Sequence, residues 1–169
     1  MAIFRQLTLA VVRDYNWAFA SGSRQRFQAM TYIEASKVIK KGDIIHLRKE
    51  LDNGLNPNLC NQYSWTLLMA AALEGNTSVG LLLIEKGADL DSRNKFRDTA
   101  LSLAAHGGHV SFVKLLLTNG ASVDCYPFGD SFEPWLNWVA KYTRCSPDQA
   151  ERIRELLDAE RELKVQPHG

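Results

Sequence analysis

One stretch of this chain occurs twice, and the second copy begins 33 residues after the first. Residues 66–87 read TLLMAAALEGNTSVGLLLIEKG, and residues 99–120 read TALSLAAHGGHVSFVKLLLTNG. The same spacing of 33 holds for three other sets of residues, which are Gly42/Gly75/Gly108, Gly54/Gly87/Gly120 and Asn58/Asp91/Asp124. A fixed period of this length is typical of repeat architectures, in which stacked units bury a continuous core and present an extended surface.

Each unit predicts two helices, a tight turn between them and a long loop. In the first copy Thr66 opens a helix whose apolar run extends to Leu73, and Gly75 ends it in the left-handed conformation that a C-cap requires. A second helix with apolar residues at helical spacing follows and ends at Gly87. The turn-rich stretch from there to Asp98, which we call a finger, leads into the next unit.

These residues resemble the ankyrin-repeat family. The likeness rests on Thr99–Ala105, Gly108-His109, Val113–Leu117 and Gly120–Asp124, and in the earlier unit on Thr66, Leu68, Ala71, Ala72, Gly75, Leu81–Leu83, Gly87–Asp89 and Asp91. It is clear over residues 33–126 and extends to a degenerate last repeat near residue 163. The resemblance implies an all-α ankyrin-repeat solenoid of about four helix-turn-helix repeats with N- and C-terminal helical caps.

The sequence departs from the family pattern at several positions. The Pro that pre-sets the first helical turn is missing from both copies. Met69 and Ser102 replace the His that ties neighbouring repeats together in the family, and Ser64 and Arg97 replace the finger Gly. We therefore expect lower stability than in an idealised array.

The domain organisation follows from the register of the repeats. Residues 33–58 form a degenerate first repeat, whose second helix carries Ile44, Ile45, Leu47 and Leu51. We expect residues 1–30 to form an N-terminal helical cap and residues 31–163 to form the ankyrin-repeat domain. Within it, residues 134–140 predict a first helix, and Ser146-Pro147-Asp148 is a strong start signal for a C-terminal capping helix. Residues 164–169 are then a tail.

Composition narrows the function classes. The net charge is +1, although residues 1–50 hold nine Lys/Arg and four Asp/Glu. That basic segment leaves nucleic-acid or anionic-surface binding open as an alternative of another class. The three cysteines are odd in number and widely spaced, which indicates a reducing compartment, so we expect a cytoplasmic protein. No apolar run is long enough to predict a membrane span.

A search for chemistry yields no candidate catalytic, cofactor-binding or metal-binding residues. The sequence His106-Gly107-Gly108-His109 lacks the converging Cys/His ligands that a zinc site needs, and Gly107-Gly108 is not a phosphate-binding fingerprint. We interpret His109, at the Gly-His position of a helix start, as structural. We expect no enzyme and no cofactor.

The resemblance also implies where a partner would bind. Ankyrin proteins usually bind other proteins on a concave face, which is made of the finger tips and the first helices. Carried over residue by residue, the partner-binding positions are Lys40, Lys41, Gln62, Tyr63, Trp65, Leu73, Glu74, Lys95, Phe96, Asp98, His106 and Phe128. Aromatic side chains at finger tips favour binding, because they supply much contact area with few rotors. The positive charges of Lys95, Arg97 and the Lys40/Lys41 pair would suit an acidic partner.

We therefore expect a non-catalytic protein-binding module. A chain this short would act by inhibiting or stabilising its partner, for example as an immunity protein that blocks a toxin or enzyme. The alternative within the same class is an adaptor or assembly subunit of a larger complex. Nucleic acid is not the partner that we expect.

Overall fold

The computed structural model describes residues 30–123 and 145–165. Over these ranges the chain forms seven helices: α1 (Tyr32–Lys41), α2 (Ile44–Asp52), α3 (Leu67–Glu74), α4 (Thr77–Glu85), α5 (Ala100–His106), α6 (Val110–Thr118) and α7 (Pro147–Val165). The repeated helix pairs confirm the all-α ankyrin-repeat fold. Most of the predicted N-terminal cap, the helix predicted at residues 134–140 and residues 166–169 of the tail lie outside the described residues.

The helices form two layers. The first helices α1, α3 and α5 pack side by side, and the second helices α2, α4 and α6 pack side by side behind them. Helix α7 continues the second layer by packing on α6. One core runs through the stack and is almost entirely aliphatic, and among the described residues Phe112 is its largest fully buried side chain. Burial of this shared core is the main force that holds units together which could not fold alone.

Threonine residues start the three first helices. Thr31, Thr66 and Thr99 are extended N-cap residues whose hydroxyls accept a backbone N–H three residues later. The third position then decides how well the cap closes. Ser102 Oγ accepts the Thr99 N–H at 2.9 Å, whereas Met69 offers only a sulfur at 3.5 Å from the Thr66 nitrogen. Of the two residues that replace the family's His, Ser102 therefore closes the N-cap with a good hydrogen bond, and Met69 closes it poorly.

The contact between the second and third repeats depends on His109. Its Nε2 lies 3.1 Å from the carbonyl oxygen of Leu73, so the Nε2–H tautomer donates across the repeat boundary. The ring passes between two glycines: a Cβ at Gly75 would lie 2.4 Å from the ring, and a Cβ at Gly107 would lie 2.5 Å from it. The structural interpretation of His109 therefore agrees with its contacts.

Glycine also lies inside a helix. Gly80 is in the middle of α4 and buried, and a Cβ there would lie 2.6 Å from the ring of Phe112 and 3.2 Å from Leu115. A mid-helix Gly costs about 1 kcal/mol relative to Ala. Here the missing side chain makes room for the ring of Phe112.

The outer side of the first repeat is polar. Phe112 and Leu115 of α6 face Gly80 in the repeat before them. The corresponding residues of α2 are His46 and Lys49, which are both exposed. Terminal repeats need such a polar outer face for solubility. Ile45, one of the apolar residues predicted for this helix, lies in α2 with its side chain 81% exposed.

The start of α7 agrees with the sequence signal. Ser146 Oγ accepts the Gln149 N–H at 3.3 Å, and Gln149 Oε1 accepts the Ser146 N–H at 2.9 Å, which makes a reciprocal capping box. Ile153 and Leu157 are buried in the common core. The helix continues through Val165, two residues into the segment predicted as a tail.

Candidate binding surface

Two asparagines shape the finger tips. Asn61 Oδ1 accepts the backbone N–H groups of Tyr63 (2.9 Å) and Trp65 (3.1 Å). Asn94 Oδ1 accepts those of Phe96 (2.8 Å) and Asp98 (2.9 Å) in the same pattern. Each asparagine thus closes a tight turn with its own side chain and holds the next four residues in one conformation.

Each finger contains one residue in the left-handed region. Ser64 has φ 60° and Arg97 has φ 69°, and they occupy the position at which the family pattern has Gly. A non-glycine residue in this region costs about 1–2 kcal/mol. This strain supports the expectation of lower stability than in an idealised array.

Neighbouring finger tips are in direct contact. The Lys95 N–H donates to the Tyr63 carbonyl oxygen at 3.0 Å. The rings of Tyr63 and Phe96 are tilted by 31°, with centroids 6.4 Å apart, which is within the range of favourable aromatic pairs. Phe96 is nevertheless 48% exposed, so the pair keeps a large apolar surface in water.

The remaining predicted finger residues differ in exposure. Trp65 is half-buried and packs against the core, whereas Gln62 is exposed. Asp98 is half-buried and accepts the Asn94 Nδ2–H at 3.1 Å. Burial raises the pKa of the Asp98 carboxyl above its ordinary value, and the hydrogen bond from Asn94 offsets part of that effect.

The other predicted residues lie at the ends of the first helices. Lys40 and Lys41 are exposed in the last turn of α1, and Leu73 (39% exposed) and Glu74 end α3. His106 is half-buried at the end of α5. These residues form a row, because the three helices pack side by side. Phe128 lies outside the described residues.

The structure thus divides the predicted surface into two groups. The tips bring Tyr63, Lys95 and Phe96 together through a hydrogen bond and a ring contact. The row at the helix ends is a second group, and no described hydrogen bond joins it to the tips. We keep the name concave face for both groups together.

Comparison with known families decides the classification. The family model for ankyrin repeats in three copies matches residues 35–126, which is more than half of the chain. This chain belongs to the ankyrin-repeat family. Ankyrin repeats generally mediate protein–protein interaction and are typically non-catalytic.

Curated relatives share the repeats over a short stretch. The NAD-capped RNA hydrolases NUDT12 of Macaca fascicularis, Pongo abelii and Homo sapiens are each 42% identical over 67 residues. That stretch covers 38% of this chain, and the chain spans 14% of the length of these relatives. The likeness lies in the ankyrin region and does not extend to the catalytic domain.

Further side chains join one ankyrin repeat to the next at the base of the fingers. Asn58 accepts the Asp89 N–H at 2.7 Å and donates to the Gly87 carbonyl at 3.2 Å. Asp91 Oδ1 accepts the Ser122 N–H at 2.8 Å. These bonds span 31 and 29 residues and fix the spacing of adjacent fingers.

Sequence reasoning missed Asn61 and Asn94 as the residues that hold the tips of these ankyrin fingers. The signal was present, since the two are spaced by 33, like the glycines of the repeat.

Other features of the described residues add no second site. Across residues 30–123 and 145–165, no three His, Cys, Asp or Glu side chains converge as metal ligands would. None of the seven described helices has the length and apolarity needed to cross a membrane. A shallow groove of about 360 Å³ runs along α2 and is lined by Ile44, Ile45, Arg48, Lys49, Asp52 and Asn53.

Proposed function

We propose that this protein is a non-catalytic module that binds a partner protein on its concave face and thereby inhibits or stabilises the partner. The observation that carries the proposal is the exposed Phe96 ring on a hydrogen-bonded tip. An exposed aromatic side chain at the tip of a loop has a large apolar area in water, and covering that area by a partner is favourable.

The fingers are suited to binding because they are ordered before a partner arrives. Asn94 fixes the backbone on both sides of Phe96, and the Lys95–Tyr63 hydrogen bond fixes one finger against the next. Binding to a preorganised surface avoids the cost of ordering a loop. Tyr63 and Phe96 therefore form the centre of the proposed interface, and the row at the helix ends forms its continuation.

Trp65 has a different role from the one that a tip aromatic suggests. Its ring packs against the core, so the residue couples the finger to the helices and presents only part of its surface. Truncation of Trp65 would therefore disturb folding as well as binding. Phe96 is the better position for a test of binding alone.

The finer roles follow from the same proposal. An inhibitor or immunity protein would cover a functional site of one toxin or enzyme, whereas an adaptor would contact several subunits of one complex. The cysteines are consistent with a cytoplasmic location. Binding of nucleic acid through the basic segment is the alternative of another class, but Arg48 of that segment already lies 3.9 Å from Glu85 in an ion pair.

Site-specific photo-crosslinking tests the proposal. A benzophenone amino acid replaces Phe96 in one variant and Leu81 in a control variant, because Leu81 is 44% exposed on a second helix, away from the fingers. Both are expressed in the protein's own cells, irradiated, and analysed by mass spectrometry. We expect the variant at position 96 to crosslink to one protein, or to the subunits of one complex. The variant at position 81 should not crosslink to these proteins.

The two outcomes also separate the finer roles. A single captured enzyme or toxin supports inhibition, and several subunits of one complex support an adaptor. Capture of the same protein from position 81 but not from position 96 would overturn the concave-face proposal. Ribonuclease-sensitive adducts at position 96 would show that the partner is RNA and not a protein.

A further inference from the structure

Among the described residues, two cations at the second helices pair with carboxylates, whereas the Lys and Arg side chains at the finger tip and at the end of α1 do not. Arg48 pairs with Glu85 at 3.9 Å, and Lys86 pairs with Asp52 at 2.6 Å. Over the described ranges, no carboxylate lies within 4.0 Å of the four charged groups at Lys40, Lys41, Lys95 and Arg97. Two of these cations, Lys95 and Arg97, flank the exposed ring of Phe96 in the sequence of one tip.

The arrangement of this tip is imposed by the backbone. Asn94 is only 5% exposed and holds the N–H groups of Phe96 and Asp98. Arg97 remains in the left-handed region at a position where a glycine would cost less. The chain therefore keeps a cation at a strained position that directly follows Phe96 in the sequence.

The neighbouring tip extends the aromatic surface without adding charge. Tyr63 contacts Phe96 at 6.4 Å between ring centroids, and its flanking residues Gln62 and Ser64 are uncharged. The two tips together therefore present two rings, and both cations belong to one of the two tips. Such a surface is complementary to a segment that offers both carboxylates and an apolar side chain.

We propose that the tip Lys95–Arg97, together with Tyr63, recognises an acidic polypeptide segment that carries an apolar side chain. This inference rests on the proposed protein-binding function and names the chemistry of the partner. The row at the helix ends extends the cationic surface through Lys40 and Lys41 beyond the tips. An acidic chain that follows the array would meet these two lysines as well.

A polypeptide fits this surface better than a nucleic acid does. Phosphate-driven binding needs cations along the whole path of the backbone, since each contact neutralises one phosphate. Here the second tip is uncharged, and the concave face also holds the carboxyls of Glu74 and Asp98. An intermittent set of cations around aromatic rings suits intermittent carboxylates around an apolar side chain.

Fluorescence anisotropy with defined probes tests the inference. The probes are a labelled peptide of Glu and Asp with two central Leu residues, a matched peptide with Lys and Arg in place of the acids, and a labelled single-stranded RNA. At ~50 mM salt, where screening is weak, we expect the acidic peptide to bind and the basic peptide to bind at least ~10-fold more weakly.

Paired variants assign the binding to the tip. Lys95→Glu with Arg97→Glu should weaken binding of the acidic peptide by ~10-fold or more, and Phe96→Ala should weaken it by a similar factor. The control is Lys49→Glu with Lys114→Glu, which changes the net charge equally at exposed residues of α2 and α6. It should bind the acidic peptide within about 2-fold of the unmodified chain. Circular dichroism of each variant verifies that it folds.

Several results would overturn the inference. They are no binding of the acidic peptide up to ~1 mM, equal binding of the basic peptide, equal effects of the two double variants, or preference for RNA. These results leave the proposed function intact if the photo-crosslinking variant at position 96 still captures a protein partner. Loss of that capture, by contrast, would refute the function itself.

Discussion

The boundary between the second and third repeats and the finger tips share one period but use it differently. At the repeat boundary, facing positions of adjacent repeats carry side chains of complementary size, as with Gly80 against Phe112. At the tips, equivalent positions repeat the backbone, through Asn61 and Asn94, while the side chains around them change. The period therefore specifies packing in one region and backbone conformation in the other.

This difference explains where the protein can vary. A side chain at the boundary meets a neighbour at van der Waals distance, so its volume is set by that neighbour. A side chain at a tip projects from a backbone that is already held, so Tyr63 and Phe96, or Gln62 and Lys95, can differ without loss of the turn. Side chains can change at the tips at little cost to the fold.

The largest expected effect tests the packing at the repeat boundary. Gly75→Ala places a methyl group 2.4 Å from the His109 ring at a residue with φ 67°. Backbone strain and overpacking together should lower the free energy of unfolding by about 2–5 kcal/mol. Urea denaturation measures the loss.

Gly87→Ala is the matched control. Gly87 has φ 86°, but apart from its chain neighbours no atom of the described residues lies within 4 Å of the added methyl group. We expect a loss of about 1–2 kcal/mol from backbone strain alone. Equal losses in the two variants would show that the contact with His109 does not constrain Gly75.

The next effect tests the backbone at the tips. Asn94→Ala removes the acceptor of two N–H groups beneath Phe96 and should cost about 2–3 kcal/mol, because the side chain is buried. Asn61→Ala removes the same pattern at a half-buried position and should cost about 1–2 kcal/mol. Chemical denaturation compares them, and a larger loss at Asn61 would contradict the assigned roles.

A smaller effect probes size complementarity across the boundary. Gly80→Ala gains about 1 kcal/mol of helix propensity but loses about 1–3 kcal/mol to overpacking against Phe112. The net loss should be about 1 kcal/mol, and it should shrink in the presence of Phe112→Leu. A double-mutant cycle of unfolding free energies measures this coupling. Strict additivity would refute the pairing.

The smallest effect concerns the buried carboxyl at the tip. Because burial raises the pKa of Asp98 in the folded state, the folded state holds the proton more tightly than the unfolded state does. The resulting stability is fully present below the ordinary pKa near 3.8 and is lost as the pH rises through the folded-state pKa. Asp98→Asn should remove this loss and gain about 0.5 kcal/mol at neutral pH.

Thermal unfolding at neutral and acidic pH measures the Asp98 effect. The advantage of the Asp98→Asn variant should decline as the pH falls through the folded-state pKa, since the carboxyl of the folded unmodified chain then becomes protonated and no longer buries a charge. An advantage of the same size at both pH values would mean that the burial of charge is not its cause.

The sequence alone predicts the repeat scaffold well. The helix starts at Thr66 and Thr99, the left-handed Gly75 and Gly108, and the cap at Ser146 all agree with the structure. They could be predicted because capping and glycine conformation depend on residues within one turn of each other. The 33-residue register of the repeats also predicted which residues lie in the fingers.

Other features depend on residues about one repeat apart, and no local pattern specifies them. The fit of Phe112 over Gly80, the contact of His109 with Leu73 and the pairing of Tyr63 with Phe96 exist only after the units stack. The sequence by itself determined the repeating unit, because local interactions within one unit specify its turns and helix ends. The tertiary structure decided which side chains meet across units and which remain exposed, because those contacts depend on how neighbouring units pack.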